Sequence, residues 1–161
     1  MKALKCPLCG DGELAETRET RRYGRGIDVT LVNVPVRRCP TCGEEMVMIP
    51  AIEELHRQIA HELARSGRRL RPGEVRFLRT YLGYSSSDFA AVMGVVPETV
   101  SRWESARSAQ AMSPTADRLL RLMAQQDRPI ASYALASSDA VAPDHVRPLR
   151  LSRTSRGWAA A

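Results

Sequence analysis

The chain is predicted to be α+β. A small β domain (residues 1–48) is followed by a linker helix and hinge (49–70), an all-α domain of short helices (71–127) and a mobile tail (128–161). Three observations lead to this division. Four cysteines, the only ones in 161 residues, stand as two matched pairs, Cys6-Pro-Leu-Cys9-Gly10 and Cys39-Pro-Thr-Cys42-Gly43. Between the pairs, apolar residues alternate with the period of a strand. From Pro50 onward they recur with the spacing of a helix face.

Each pair is a C-x-x-C knuckle, and the glycine after its second cysteine lets the backbone turn tightly around an ion. Four thiolates from two knuckles make a closed tetrahedral site, which suits one structural Zn2+ and leaves no open position for catalysis. The β domain is therefore read as zinc-ribbon-like, with Cys6, Cys9, Cys39 and Cys42 as ligands. A redox pair calls for a βαβ setting that neither knuckle has. A disulfide framework calls for an oxidising compartment, and the first residues carry no apolar signal-like region. A tetrathiolate iron site uses the same ligands, and spacing does not separate it from zinc. Removing the metal is expected to unfold residues 1 to about 48 and leave the helical domain folded.

Net charge +6 and a pI near 9.6 fit an anionic partner. Of the basic residues, 22 are arginines and two are lysines. The guanidinium fork matches phosphate and guanine edges. No apolar run reaches membrane-spanning length, so a cytoplasmic protein without a membrane partner is expected. No Ser-His-Asp set, phosphate-binding glycine loop or helix with paired metal ligands beside an acid is present, and no enzymatic activity is expected.

Leu14 to Arg22 reads as an exposed strand and Tyr23-Gly24-Arg25-Gly26 as a turn. Ile27, Val29 and Leu31 alternate in one phase and Val32, Val34 and Val36 in the other, which predicts a bulge between Leu31 and Val32. Ile52, Leu55, Ile59 and Leu63 then share one helix face. His56 and His61, five apart, read as solvated surface residues. The polar, basic segment 66–73 reads as a hinge. Four short helices follow: Pro72 to Leu82, Ser86 to Met93, Pro97 to Ala106, and Ser113 to Gln125. Val75, Leu78, Leu82, Phe89, Val92, Met93, Val100, Trp103, Leu119 and Met123 are their candidate core. After Arg128 periodicity is lost, although Val146 to Ser152 has the pattern of an edge strand.

The second and third of these helices have the layout of a helix-turn-helix. Ala90 is small where helices approach, Gly94 suits the left-handed turn, and Val100 and Trp103 face inward while Glu98, Thr99, Ser101 and Arg102 point elsewhere. Residues 72 to 125 resemble the Cro/CI (lambda-repressor-like) helix-turn-helix family, on the Gly94-Val95 turn followed by Val100-Ser101-Arg102-Trp103-Glu104. With the double knuckle ahead of it, the architecture over residues 4 to 125 resembles the MqsA-type antitoxins. These join a YgiT-type zinc finger to that DNA-binding domain.

The resemblance implies a transcriptional repressor that binds a palindromic operator in double-stranded DNA as a homodimer. It also implies a zinc domain that binds a toxin. A stand-alone zinc-ribbon regulator without a toxin is the other reading. Glu98 and Arg102 fall at recognition positions facing base edges. An arginine fork on guanine O6 and N7 is worth ~1–3 kcal/mol of discrimination. Thr99 and Ser101 lie on the same helix, and Ser85 and Ser86 open the preceding one, where hydroxyls and free N–H groups suit a phosphate. Val96 departs from the capping residue usual in that family, and Pro97 compensates through its fixed φ. Trp103 is read as a core anchor and Glu104 as an ion-pair or cap partner.

Overall fold

The computed structural model of the chain describes residues 4–108, 110–129, 151–154 and 157–160. Strands β1 (Ala15–Tyr23), β2 (Val29–Arg38) and β3 (Glu45–Val47) form an antiparallel sheet in the order β1-β2-β3. The register shifts between Glu19, opposite Val34, and Arg21, opposite Leu31. One residue of β1 thus faces two of β2, Val32 and Asn33, and Asn33 takes a positive φ of 61°. The change of phase at Leu31/Val32 is that bulge. Val34 and Val36 are buried beyond it, whereas most of β1 is exposed.

An ion network fastens the three strands across the exposed face. Arg38 on β2 binds Glu19 on β1 and Glu45 on β3, and Arg21 reaches Glu45 at 2.7 Å. The Arg38 guanidinium holds the Glu19 carboxyl down at about 2. Charged, opposed cross-strand partners of this kind replace part of the apolar packing that so small a sheet lacks.

Among the described residues, five helices follow: α1 (Ile52–Arg65), α2 (Pro72–Tyr81), α3 (Ser86–Val92), α4 (Pro97–Trp103) and α5 (Pro114–Gln125). Helix α1 packs along α5, α2 contacts both, and α3 packs on α4. Their shared core includes Ile59, Leu63, Val75, Leu78, Phe89, Val100, Trp103, Leu120 and Met123. The helix read as a linker therefore contributes to the helical core. Ile52 is exposed, while Ile59 and Leu63 are buried in that core.

The segment 66–73 is pinned rather than free. Arg121 on α5 pairs with Asp117 and donates to the carbonyls of Leu63, Ala64, Ser66 and Arg68. It thereby satisfies carbonyls left open at the end of α1, with a cation where the helix dipole favours one. The backbone N–H of Leu70 donates to Asp117 at 3.2 Å. Glu74, with its side chain 0% exposed, accepts from both Arg68 and the backbone N–H of Arg71.

Burial pushes the Glu74 carboxyl up, but the Arg68 and Arg71 donors outweigh it and set it below the usual carboxylate range. Stability from a depressed carboxyl is present above the unfolded value of about 4.5 and is lost as pH falls through the lower folded value. Acid titration of the melting curve should therefore show stability declining below about pH 4.5, with a shallower slope in Glu74→Gln.

The histidines are not solvated surface residues. His56 is half-buried between the Tyr23 hydroxyl (2.6 Å) and the ring of Phe77, and His61 Nε2 donates to Asp127 Oδ1 at 2.8 Å. Within the segment expected to be a mobile tail, β4 (Leu151–Thr154) and β5 (Gly157–Ala160) pair as an antiparallel hairpin. Of the edge strand expected over Val146 to Ser152, Leu151 and Ser152 fall in β4. Residues 146–150 lie outside the described residues.

Candidate metal centre and nucleic-acid interface

The two knuckles adopt the same local geometry. In the first, the N–H of Gly10 donates to Cys6 O at 3.0 Å; in the second, Gly43 donates to Cys39 O at 2.9 Å. Gly10 and Gly43 both take φ of 77°, as the tight turn requires. The N–H of Cys6 donates to Gly12 O, and that of Cys39 to Glu44 O, which closes each loop. Pairing of β1 with β2 then brings the knuckles together, since Cys39 directly follows β2.

All four sulfurs lie within 4.8 Å of one another. Cys6 Sγ is 3.7 Å from Cys42 Sγ, and Cys9 Sγ is 3.6 Å from Cys39 Sγ. Four sulfurs bonded at ~2.3 Å to a tetrahedral zinc ion stand ~3.8 Å apart, so the residues fit a single structural metal. Backbone donors add to that fit. The N–H groups of Gly12 and Asp11 draw the Cys9 thiol down to about 6, and those of Cys42 and Thr41 draw Cys39 down. Cys42 moves the opposite way, to about 12. The Glu44 N–H lowers it, but desolvation and the other three sulfurs raise it more. Like charges gathered this closely need a cation among them. Gly12 admits the cluster, for a Cβ there would stand 2.3 Å from Cys39 Sγ.

The second region lies on α3 and α4. Ser85 caps α3, its Oγ accepting from Asp88 N at 3.0 Å and donating to Asp88 Oδ2 at 2.6 Å. Its hydroxyl is thus engaged within the helix end, whereas Ser86 is exposed in the first turn. Gly94, with φ of 65°, turns the chain between the helices. Val96 precedes α4 without a side-chain cap, and Pro97 opens the helix. Glu98, Ser101 and Arg102 are exposed on α4; Thr99 is half-buried.

Behind this surface Trp103 is buried, and Glu104 ends α4 with its side chain only 3% exposed. Glu104 binds Arg79 on α2 at 2.6 and 3.1 Å and Arg76 at 3.0 Å. Arg79 also donates to the carbonyl of Tyr84, just before α3, at 2.7 Å. One guanidinium therefore ties α2, the entry to α3 and the end of α4. Glu104 was legible as an ion-pair residue, but its partners, 25 and 28 positions away, were not. Gln110, whose Oε1 lies 3.4 Å from Arg102 Nη1, carried no sequence signal because it sits in an aperiodic loop.

Among the described residues, a three-stranded sheet with a four-sulfur cluster is followed by helices of which α3 and α4 are short and joined at a glycine. The family model described as "Antitoxin component of bacterial toxin-antitoxin system, MqsA" matches residues 4–129, and the chain belongs to that family. Among curated proteins none matches the chain. No helix among the described residues is long and apolar enough to cross a membrane.

Proposed function

We propose that the chain is a sequence-specific DNA-binding repressor acting as the antitoxin of a type II toxin–antitoxin system, with no catalytic role. In this reading α3 and α4 form a helix-turn-helix, and a homodimer sets two copies of α4 in successive major grooves of a palindromic operator, about 34 Å apart or a multiple of that. Zinc holds the sheet module together, and that module binds the toxin. The support for the toxin is family membership. The observation that carries DNA reading is the exposed row Glu98, Ser101 and Arg102 on a helix fixed from behind by Trp103 and Glu104.

Arg102 serves guanine O6 and N7, and Glu98 accepts from a cytosine N4. Thr99, Ser101 and Ser86 serve phosphates or neighbouring bases, and the N-terminus of α3 at Ser85 adds backbone donors. Gel-shift titration against the protein's own promoter tests this assignment. Arg102→Ala is expected to weaken specific binding by about 1–3 kcal/mol, roughly five- to 150-fold. Glu98→Ala is expected to relax base preference at one position. Unchanged, still sequence-specific binding by both variants would sink the recognition-helix reading.

A further inference from the structure

The turn between β1 and β2 leaves its own sheet and enters the helical body. Ile27 is 9% exposed and belongs to the same core as Ile59, Val75 and Leu78. The backbone of Gly26 rests on that of Gly73 at the start of α2. A Cβ at Gly73 would stand 2.1 Å from the Gly26 carbonyl oxygen, closer than atoms can pack. On one side of this contact the Tyr23 hydroxyl meets His56 Nε2 at 2.6 Å, and the His56 ring sits edge-on to Phe77, 5.7 Å between centroids. On the other side Asp28 lies 3.8 Å from Arg71.

We propose that this turn is a coupling element. It locks the sheet module onto α1 and α2, so that the state of the four-cysteine centre is felt in the helical body. The two ends of the route are built into one hairpin. Strand β2 runs from Val29, next to the turn, to Arg38, next to the ligand Cys39. Ten strand residues at ~3.3 Å each set the metal centre and the turn ~30 Å apart. Loss of the metal releases the Cys39 end, and a hairpin with few buried residues of its own then has little to hold the turn in place. Without the turn, Ile27 leaves the core and His56 loses its hydroxyl partner. Helix α2 also carries Arg76 and Arg79, which hold Glu104 at the end of α4. The contacts thus form a continuous path from the cysteines to the helix proposed to read DNA. Linkage makes the coupling reciprocal, so whatever tightens the helical body also strengthens metal retention.

Hydrogen exchange on the full-length, zinc-loaded protein tests this without DNA, so a failure to bind an operator bears on the proposed function alone. Chelation is expected to release amide protection in the sheet. It should also raise exchange at least tenfold around His56 in α1 and across residues 73–77 of α2, with the helical body still folded. Gly73→Ala keeps α2 helical but forces the turn away from it. In that variant the zinc-loaded protein should already show the raised exchange in α1 and α2, and chelation should add nothing further there. Unchanged protection of α1 and α2 on chelation of the native protein would overturn the proposal, as would a Gly73→Ala variant that responds to chelation like the native chain. Should Gly73→Ala fail to fold, Tyr23→Phe takes its place. It is expected to reduce the transmitted change at least twofold, and a change of native size would overturn the coupling.

Discussion

Cys39→Ser is expected to yield protein without bound metal and without a folded sheet. The sulfur is buried at the centre of the cluster, and the backbone donors of Cys42 and Thr41 are aimed at it. Replacing it with a hydroxyl removes one of four ligands, and structural zinc in small modules supplies roughly 10–16 kcal/mol of apparent binding energy that is also folding energy. Little else is available to the sheet. Its described strands bury only Val34 and Val36, and β1 is exposed along most of its length. A cross-strand pair contributes about 0.2–1 kcal/mol, too little for Arg38 and its carboxylate partners to compensate. Metal analysis and amide protection over residues 4–48 check this expectation. The helical body should remain folded. A Cys39→Ser protein with native sheet protection and no metal would contradict the structural role of the centre.

Glu104→Ala is expected to destabilise the helical body by about 3–5 kcal/mol, because it leaves a buried guanidinium uncompensated. The Arg79 side chain is 9% exposed and makes two of its three bonds to Glu104. Arg76 shares the same carboxylate, yet its side chain is 66% exposed. Arg76→Ala is therefore expected to cost under about 1 kcal/mol. Thermal melts of the two variants should separate by more than about 10 °C for a helical body of this size. Equal melting temperatures would mean that the pair does not hold α4 against α2.

Much of this organisation was legible in the sequence because it depends on local chemistry. The knuckles announce their own geometry, since cysteine spacing and a following glycine determine a turn. The bulge at Val32–Asn33 shows as a change in alternation phase. Helix starts at Pro72, Pro97 and Pro114 follow from proline at the first turn, and Ser85 and Ser113 act as caps. Helix α4 ends three residues earlier than periodicity suggests, with Glu104 as its C-cap residue, paired to Arg79.

The contacts that escaped the sequence join distant positions. Arg121 binds carbonyls of Leu63 to Arg68, and a hinge-like composition of glycine and arginine conceals that anchorage. His56 and Tyr23 are 33 residues apart, and nothing in either segment marks them as partners. Ile27 was read as a strand residue from its alternation with Val29, but it lies in the turn before β2 and is buried among helices where Gly26 meets Gly73. Strand β3 spans only three residues, too few for alternation to register. For the candidate site, the four sulfurs were legible in full. The residues of α4 proposed to face DNA were legible as an exposed helix face, while the buried ion pair behind this face was not.

The most direct test of the account is a backbone NMR titration of the zinc-loaded protein with a duplex of its own promoter. The largest amide shifts are expected at residues 85–88 and 98–102, with slower metal loss on chelation as binding saturates. Shifts confined to the sheet or to α1, with residues 98–102 unmoved, would contradict the assignment of α4 as the reading helix.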